Sequence, residues 1–253
     1  MHSDPKREDE LPDIKQSDDP EQAFDESPPK LKEVVDVIKK GRAASAPGPN
    51  GVPYKYRKEG VSGCIEHTSV LSQIIREVKD SKGELAVVWL DLANAYGTVP
   101  HKLVELMLER YHVPDGVRAL IKEYFNHLQL RFTVGDFTTS WQRLEVGIVT
   151  GCTISVILFS AAMNMIVKSV EKKSRGPWMK SEVLQPLGRA FMDDMTISTK
   201  TVIEARWTLR ELDKMITWAR MKVKPNKSRS LVVNNGKVKE ERFKIGDEII
   251  GNE

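Results

Sequence analysis

Phe191-Met192-Asp193-Asp194 sets two adjacent acids between short runs that alternate apolar and polar. Arg189-Ala190-Phe191-Met192 precedes them and Met195-Thr196-Ile197-Ser198 follows. A period of two belongs to a half-buried strand, so the stretch predicts a tight β-hairpin with a carboxylate pair at its tip. Neighbouring like charges repel, and a divalent cation is the usual reason for a fold to hold them together. A third acid has similar surroundings upstream, where Val87-Val88-Trp89-Leu90 ends on Asp91. Sheet formation can bring that strand end beside the hairpin. The plainer reading of Asp193-Asp194 is a solvated turn. Apolar flanks on both sides, and the matching Asp91, favour a cation site.

The 253 residues allow one large or two modest domains, and 40% apolar content is enough for a sizeable core. No apolar run reaches the length of a membrane span and the N-terminus is acidic and polar, so no membrane partner is expected. Cys64 and Cys152 are too few for a disulfide framework or a zinc cluster. They suit a reducing, intracellular setting, nucleus and cytoplasm undistinguished. The net charge of +3 hides an asymmetry: residues 1–29 sum to −7 and residues 30–253 to +10. A basic body suits a polyanion such as nucleic acid.

Along the chain, residues 1–29 combine acids with five prolines and predict a disordered acidic tail. Leu31, Val34, Val35 and Ile38 share a helical face, and Ser45-Ala46-Pro47-Gly48-Pro49-Asn50-Gly51 is a stiff, turn-rich loop. Ile65, Leu71, Ile74, Ile75 and Val78 make an amphipathic helix that stops near Gly83, followed by a buried strand over 85–90. Pro100 and Pro114 each open a helix. A hairpin turns at Gly135-Asp136, and a strongly apolar helix runs from Ile154 to about Val170. Another helix spans roughly Ile203 to Lys222, and a last hairpin turns at Asn235-Gly236. This order predicts an α+β fold with a largely antiparallel sheet and helices packed on one face.

Phosphoryl transfer asks little covalent chemistry of a protein; it needs charge placed opposite the reacting phosphate. Two divalent cations about 3.5–4 Å apart can supply it, and carboxylates on rigid strand ends can hold them. Here the pattern resembles the palm of a reverse transcriptase from a non-LTR (LINE-like) retroelement, from about Leu31 to the end. The matching pieces occur in family order. Ser45 to Gly51 stands at the domain entrance, Asp91-Leu92-Ala93-Asn94-Ala95-Tyr96 resembles motif A, and Gly147 to Phe159 resembles motif B. Phe191-Met192-Asp193-Asp194 resembles motif C, and Lys224-Pro225-Asn226-Lys227-Ser228 motif D.

The resemblance implies residues 30–60 as a remnant of the fingers and 61–253 as the palm. It implies Asp91, Asp193 and Asp194 as ligands of Mg²⁺, with Mn²⁺ an alternative. Tyr96 is implied under the incoming sugar, where a bulky ring selects deoxynucleotides. Lys227 is implied near the triphosphate as a proton donor to the leaving pyrophosphate. Leu92, Thr150 and Gly151 are implied at the nucleotide and template surface. Motif B departs from the family pattern, with Thr150, Thr153 and Val156 replacing a glutamine and two prolines. Only Tyr56 to Val61 stands where the family carries a long segment of basic finger strands. The expectation is a palm with most of its fingers excised and no thumb.

The function implied is RNA-directed DNA polymerisation, with an RNA template, a DNA primer and deoxynucleoside triphosphates as partners. Two other readings belong to different classes: a retroelement-derived fragment that binds nucleic acid without polymerising, and a metal-dependent nuclease. On charge alone Lys227, in a run with Arg220, Lys222, Lys224 and Arg229, reads as part of a solvated face. Trp89, Trp141 and Trp218 read first as packing, and His67, His101 and His112 are too scattered to mark a metal site.

Overall fold

The structure, a computed structural model, describes residues 64–150, 152, 154–171 and 174–252, together with 19–21 and 32. Save for those last few positions, the expected acidic tail, the 30–60 segment and the short Tyr56–Val61 junction lie outside the described residues.

The first helix, α1 (Cys64–Asp80), packs Val70, Leu71, Ile74, Ile75 and Val78 inward, the three-to-four spacing of one helical face. The chain reverses through Lys82 and Gly83 into β1 (Glu84–Asp91). Three helices follow: the single turn α2 (Ala95–Thr98), then α3 (His101–Arg110) and α4 (Asp115–His127). Pro100 and Pro114 sit immediately before the latter two, where a missing N–H costs nothing.

Two small ladders come next. β2 (Gln129–Leu130) pairs with β5 (Gln142–Arg143), and β3 (Thr133–Val134) pairs with β4 (Phe137–Thr138) across the Gly135-Asp136 turn. Helix α5 (Ser155–Val170) leads to the hairpin of β6 (Gly188–Phe191) and β7 (Asp194–Thr199). Helix α6 (Val202–Trp218) begins at Thr201, whose hydroxyl oxygen accepts from the Glu204 N–H at 3.1 Å. It ends sooner than the sequence pattern predicts. Arg220 turns left-handed (φ 52), Met221 N–H donates to the Ile216 carbonyl and Arg220 N–H to that of Thr217. That is a Schellman stop, and it sends residues 221–224 back along the end of β1.

The chain closes with β8 (Arg229–Asn234), β9 (Lys237–Lys239), β10 (Phe243–Ile245) and β11 (Glu248–Asn252). Asn235 and Gly236 both have positive φ, as a two-residue hairpin turn of this hand demands. The main sheet runs β10-β11-β8-β1-β7-β6, with β9 added to β8. All its ladders are antiparallel except the short β11–β8 pairing, so the α+β reading holds.

Strand alternation sorts the packing. Ala86, Val88 and Leu90 point into the larger core with Leu103, Phe159, Ile166, Leu209 and Met215, on the side of α3 to α6. Leu85 and Val87 point the other way and meet Ile74 of α1. Helices therefore cover one face along its length, and α1 adds partial cover to the second. Each fully buried side chain of this size contributes about 1.5–3 kcal/mol of hydrophobic stabilisation. Among the described residues no helix is long and apolar enough to cross a membrane.

Candidate active site

The sheet brings the three acids to one edge. Asp91, the last residue of β1, is the cross-strand partner of Asp194, the first of β7. Met192 and Asp193 form the two-residue turn between Phe191 and Asp194, with Met192 at φ 56, and the Leu92 N–H donates to the Asp193 carbonyl at 3.3 Å. The carboxylate pair thus sits at a hairpin tip, with Asp91 level with it. Alternation also places Asp91, Trp89 and Val87 on the same face, opposite the main helical layer.

Leu92 follows one position later and so faces inward, fully buried. Its side chain belongs to the core, so any part Leu92 takes at the nucleotide surface falls to its backbone. From there Asn94 turns left-handed (φ 45, ψ 46), a conformation asparagine tolerates, and starts the single turn that carries Tyr96. The Tyr96 ring stacks on Phe159 with centroids 4.0 Å apart and an interplanar angle of 10°. Its hydroxyl reaches Met192 Sδ at 3.6 Å. Partial burial first, then the Asp193 charge, push the phenol above its ordinary value. Tyr96 therefore stands against the acidic turn.

The loop before α5 is latched to this same region. Gly147 N–H donates to the Val99 carbonyl at 2.8 Å and Ile148 N–H to that of Tyr96 at 2.7 Å, while His101 Nε2 meets the Gly147 carbonyl at 2.9 Å. Gly147 has φ +95, and a Cβ there would come within 2.7 Å of the Gly97 backbone, so this crossing requires glycine. Thr150 is exposed, two residues beyond Ile148. Gly151 and Thr153 lie outside the described residues.

A second latch comes from residues 221–228, and most of it escaped the sequence reading. Ala93 N–H donates to the Lys222 carbonyl at 2.7 Å, and Lys224 N–H to the Asp91 carbonyl at 2.7 Å. The Asp91 N–H donates to Ser228 Oγ at 3.2 Å, and that hydroxyl donates to the Lys224 carbonyl at 2.9 Å. Lys224 Nζ lies 2.7 Å from Asp91 Oδ1, an oxygen shut off from solvent that makes no other hydrogen bond. This pairing, with the other acids behind it, holds the Lys224 ammonium above the ordinary lysine value. Lys227 is exposed and unpaired with Asp91, yet its charge acts on Asp194.

Asp91 and Asp194 open on a cavity of about 380 Å³, whose walls include Trp89, Arg189, Thr68 and Lys227. Arg189 donates to Gln185 Oε1 at 2.6 Å, and burial holds its guanidinium below the usual arginine value. Desolvation, then the charges of Asp193 and Asp91, raise the Asp194 carboxyl above the usual carboxylate value, against the opposing pull of Lys224 and Lys227.

Among the described residues no three His, Cys, Asp or Glu side chains converge as a ready-made metal cage. The donor set nonetheless suits a hard divalent ion. It consists of carboxylate oxygens on strand ends, with a buried Asp91 oxygen whose countercharge is an ammonium rather than a hydrogen-bond network.

Comparison with known proteins adds a family. Residues 53–245 match reverse transcriptase (RNA-dependent DNA polymerase). The chain is 25% identical over 178 residues to the retrovirus-related Pol polyprotein from type-1 retrotransposable element R2 of Nasonia vitripennis, covering 70% of this chain and 17% of that protein. The protein of the same name from Bradysia coprophila is 23% identical over 188 residues, covering 73% and 21%. The chain thus spans well under two thirds of the curated relatives it matches. Among solved structures, apo telomerase from Candida tropicalis, truncated from its C-terminal domain, aligns with TM-score 0.49 and 11% identity, covering 72% of this chain and 40% of that one.

Proposed function

The chain belongs to the reverse transcriptase (RNA-dependent DNA polymerase) family, and on that premise we propose that its acidic sheet edge carries RNA-templated DNA synthesis. The observation that supports this most is the cross-strand pairing of Asp91 with Asp194 beside the Met192-Asp193 turn. In this reading the 3′-hydroxyl of a DNA primer on an RNA template attacks the α-phosphate of a deoxynucleoside triphosphate. The new bond is the phosphodiester, and pyrophosphate leaves.

Asp91, Asp193 and Asp194 would hold Mg²⁺ or Mn²⁺. Bound there, such ions activate the attacking oxygen and offset the charge that builds on the leaving one. The remaining work falls to the chain itself. The 222–228 latch fixes the carboxylate-bearing strand end within a hydrogen-bond frame, and the Gly147 latch fixes the turn that carries Tyr96, so both are positioned without reorganisation during reaction. The Tyr96 ring, held flat on Phe159, provides a rigid floor beside the turn and in this reading is the bulky group that disfavours a 2′-hydroxyl. Lys227, exposed next to Asp194, lies on the side where phosphate charge would accumulate and can hand a proton to the leaving group.

Primer extension by wild type and by Asp193→Asn on a primed RNA template tests the reading. Extension by the wild type and its loss in the variant are expected. Equal extension by both would remove Asp193 from its role. Salt-sensitive binding of primer–template with no extension by either protein, at any Mg²⁺ or Mn²⁺ level, would instead identify a binding fragment.

A further inference from the structure

We propose that Lys224 is a positioning residue that serves as the resident counter-ion of Asp91 and competes with divalent cations for that carboxylate. The proposal rests on the reading above, since it takes Asp91 as a metal ligand, and it assigns a task to a lysine to which neither the basic run nor the motif D resemblance gave one.

The geometry separates two kinds of contact. The main chain of Lys224 is bound to Asp91 through its own N–H, and through Ser228 by way of its carbonyl. These bonds are independent of the lysine side chain. They hold the Cα of residue 224 beside the acid whatever the ammonium does. The ammonium itself sits on Asp91 Oδ1 at 2.7 Å, against an oxygen with no solvent access.

A carboxylate in that position, with Asp193 and Asp194 adding like charge, requires a cation close by. Lys224 supplies one. An ammonium and a divalent ion held on the same carboxylate repel each other, so each weakens the other's hold on Asp91. The lysine side chain is 37% exposed and the aspartate 19%, so the ammonium has an outlet to water on a flexible stem. Partly exposed ion pairs of this kind are weak, and an ion of twice the charge can displace the lysine. The site is thereby kept neutral enough to fold without metal, while Asp91 stays available to metal when it arrives.

The test is Mn²⁺ binding to the full chain, followed by the electron paramagnetic resonance signal of free Mn²⁺, with melting temperature in EDTA as a second readout. Lys224→Met is expected to bind Mn²⁺ roughly two- to fivefold more tightly than wild type, the range set by a partly exposed pair. It is also expected to melt lower in EDTA, with the gap closing as Mn²⁺ is added. Lys224→Arg keeps the pair and should bind no more tightly than wild type. Lys222→Met removes the same charge from an exposed neighbour and should stay close to wild type, which separates pairing from net charge. Should Lys224→Met lose its fold by circular dichroism, Lys224→Gln gives the same comparison with a neutral donor.

Mn²⁺ affinity of Lys224→Met equal to that of wild type or of Lys222→Met, or weaker than either, overturns the counter-ion role and leaves the polymerase reading intact. Wild type that binds no Mn²⁺, indistinguishable from Asp91→Asn, overturns both. The wild-type titration alone tells the two failures apart.

Discussion

Ala86, Val88 and Leu90 of β1 point into a core closed by α3 to α6, whereas Leu85, Val87, Trp89 and Asp91 of the same strand point to a face that α1 covers only in part. Under α1, Leu85 and Val87 are fully buried; farther along, Asp91 opens on the 380 Å³ cavity. Eight residues thus serve two ends. The closed face supplies stability, and the open end of the other face supplies charged groups held in place by bonds made elsewhere. Polar chemistry is tolerated at the end of the strand because Asp91 opens on the cavity there and the 222–228 segment takes over the hydrogen bonding.

The contrast is broken most sharply by substituting neighbours. Asp91→Asn is expected to lower primer extension by at least about a hundredfold, as removal of a group that stabilises transition-state charge does, while the melting temperature moves by only a few degrees. Leu90→Ala, one position away and 2% exposed, is expected to cost about 2–5 kcal/mol in urea denaturation. Should the two variants lose stability alike, the division between faces is wrong.

A smaller effect tests the frame behind the acids. Ser228 is fully buried and bridges the Asp91 N–H to the Lys224 carbonyl. Ser228→Ala leaves that N–H without an acceptor, for an expected loss of about 1–3 kcal/mol together with reduced extension. A loss in extension without a change in stability would show that the latch acts on something other than Asp91.

Much of this contrast was legible in the residues. Period-two alternation around Asp91 and around Asp193-Asp194 announced strands ending in acids, and the Asn235-Gly236 pair announced its hairpin. The same alternation turns the Leu92 side chain to the core. The β10–β11 hairpin went unread: strands of three and five residues give almost no periodic signal. Lys224 and Ser228 were hidden for another reason. Their contacts with Asp91 join positions far apart in the chain, and a lysine among Lys222, Lys227 and Arg229 looks like any solvated face. Gly147 carried a usable sign, an isolated glycine just ahead of an apolar helix, but the close crossing that requires it exists only in three dimensions.

The least of the expected effects concerns pH. Because the Asp194 carboxyl is held above its ordinary 3.8, ionising it costs the folded state. That cost is absent below pH 3.8, where the unfolded chain is protonated too, and complete once pH has risen past the raised folded value. Asp194→Asn, neutral throughout, should therefore melt above wild type at pH 7 in EDTA, with the advantage shrinking as pH falls toward 3.8. An advantage that does not change with pH would mean that like-charge crowding is not what the substitution relieves.

The most direct measurement is a crystal of the full chain soaked in Mn²⁺, read by anomalous scattering. The predicted result is an ion ligated by carboxylate oxygens of Asp91 and its acidic neighbours, with the Lys224 ammonium moved off Oδ1. Asp91 still paired with Lys224, and no anomalous peak at this sheet edge, would contradict it.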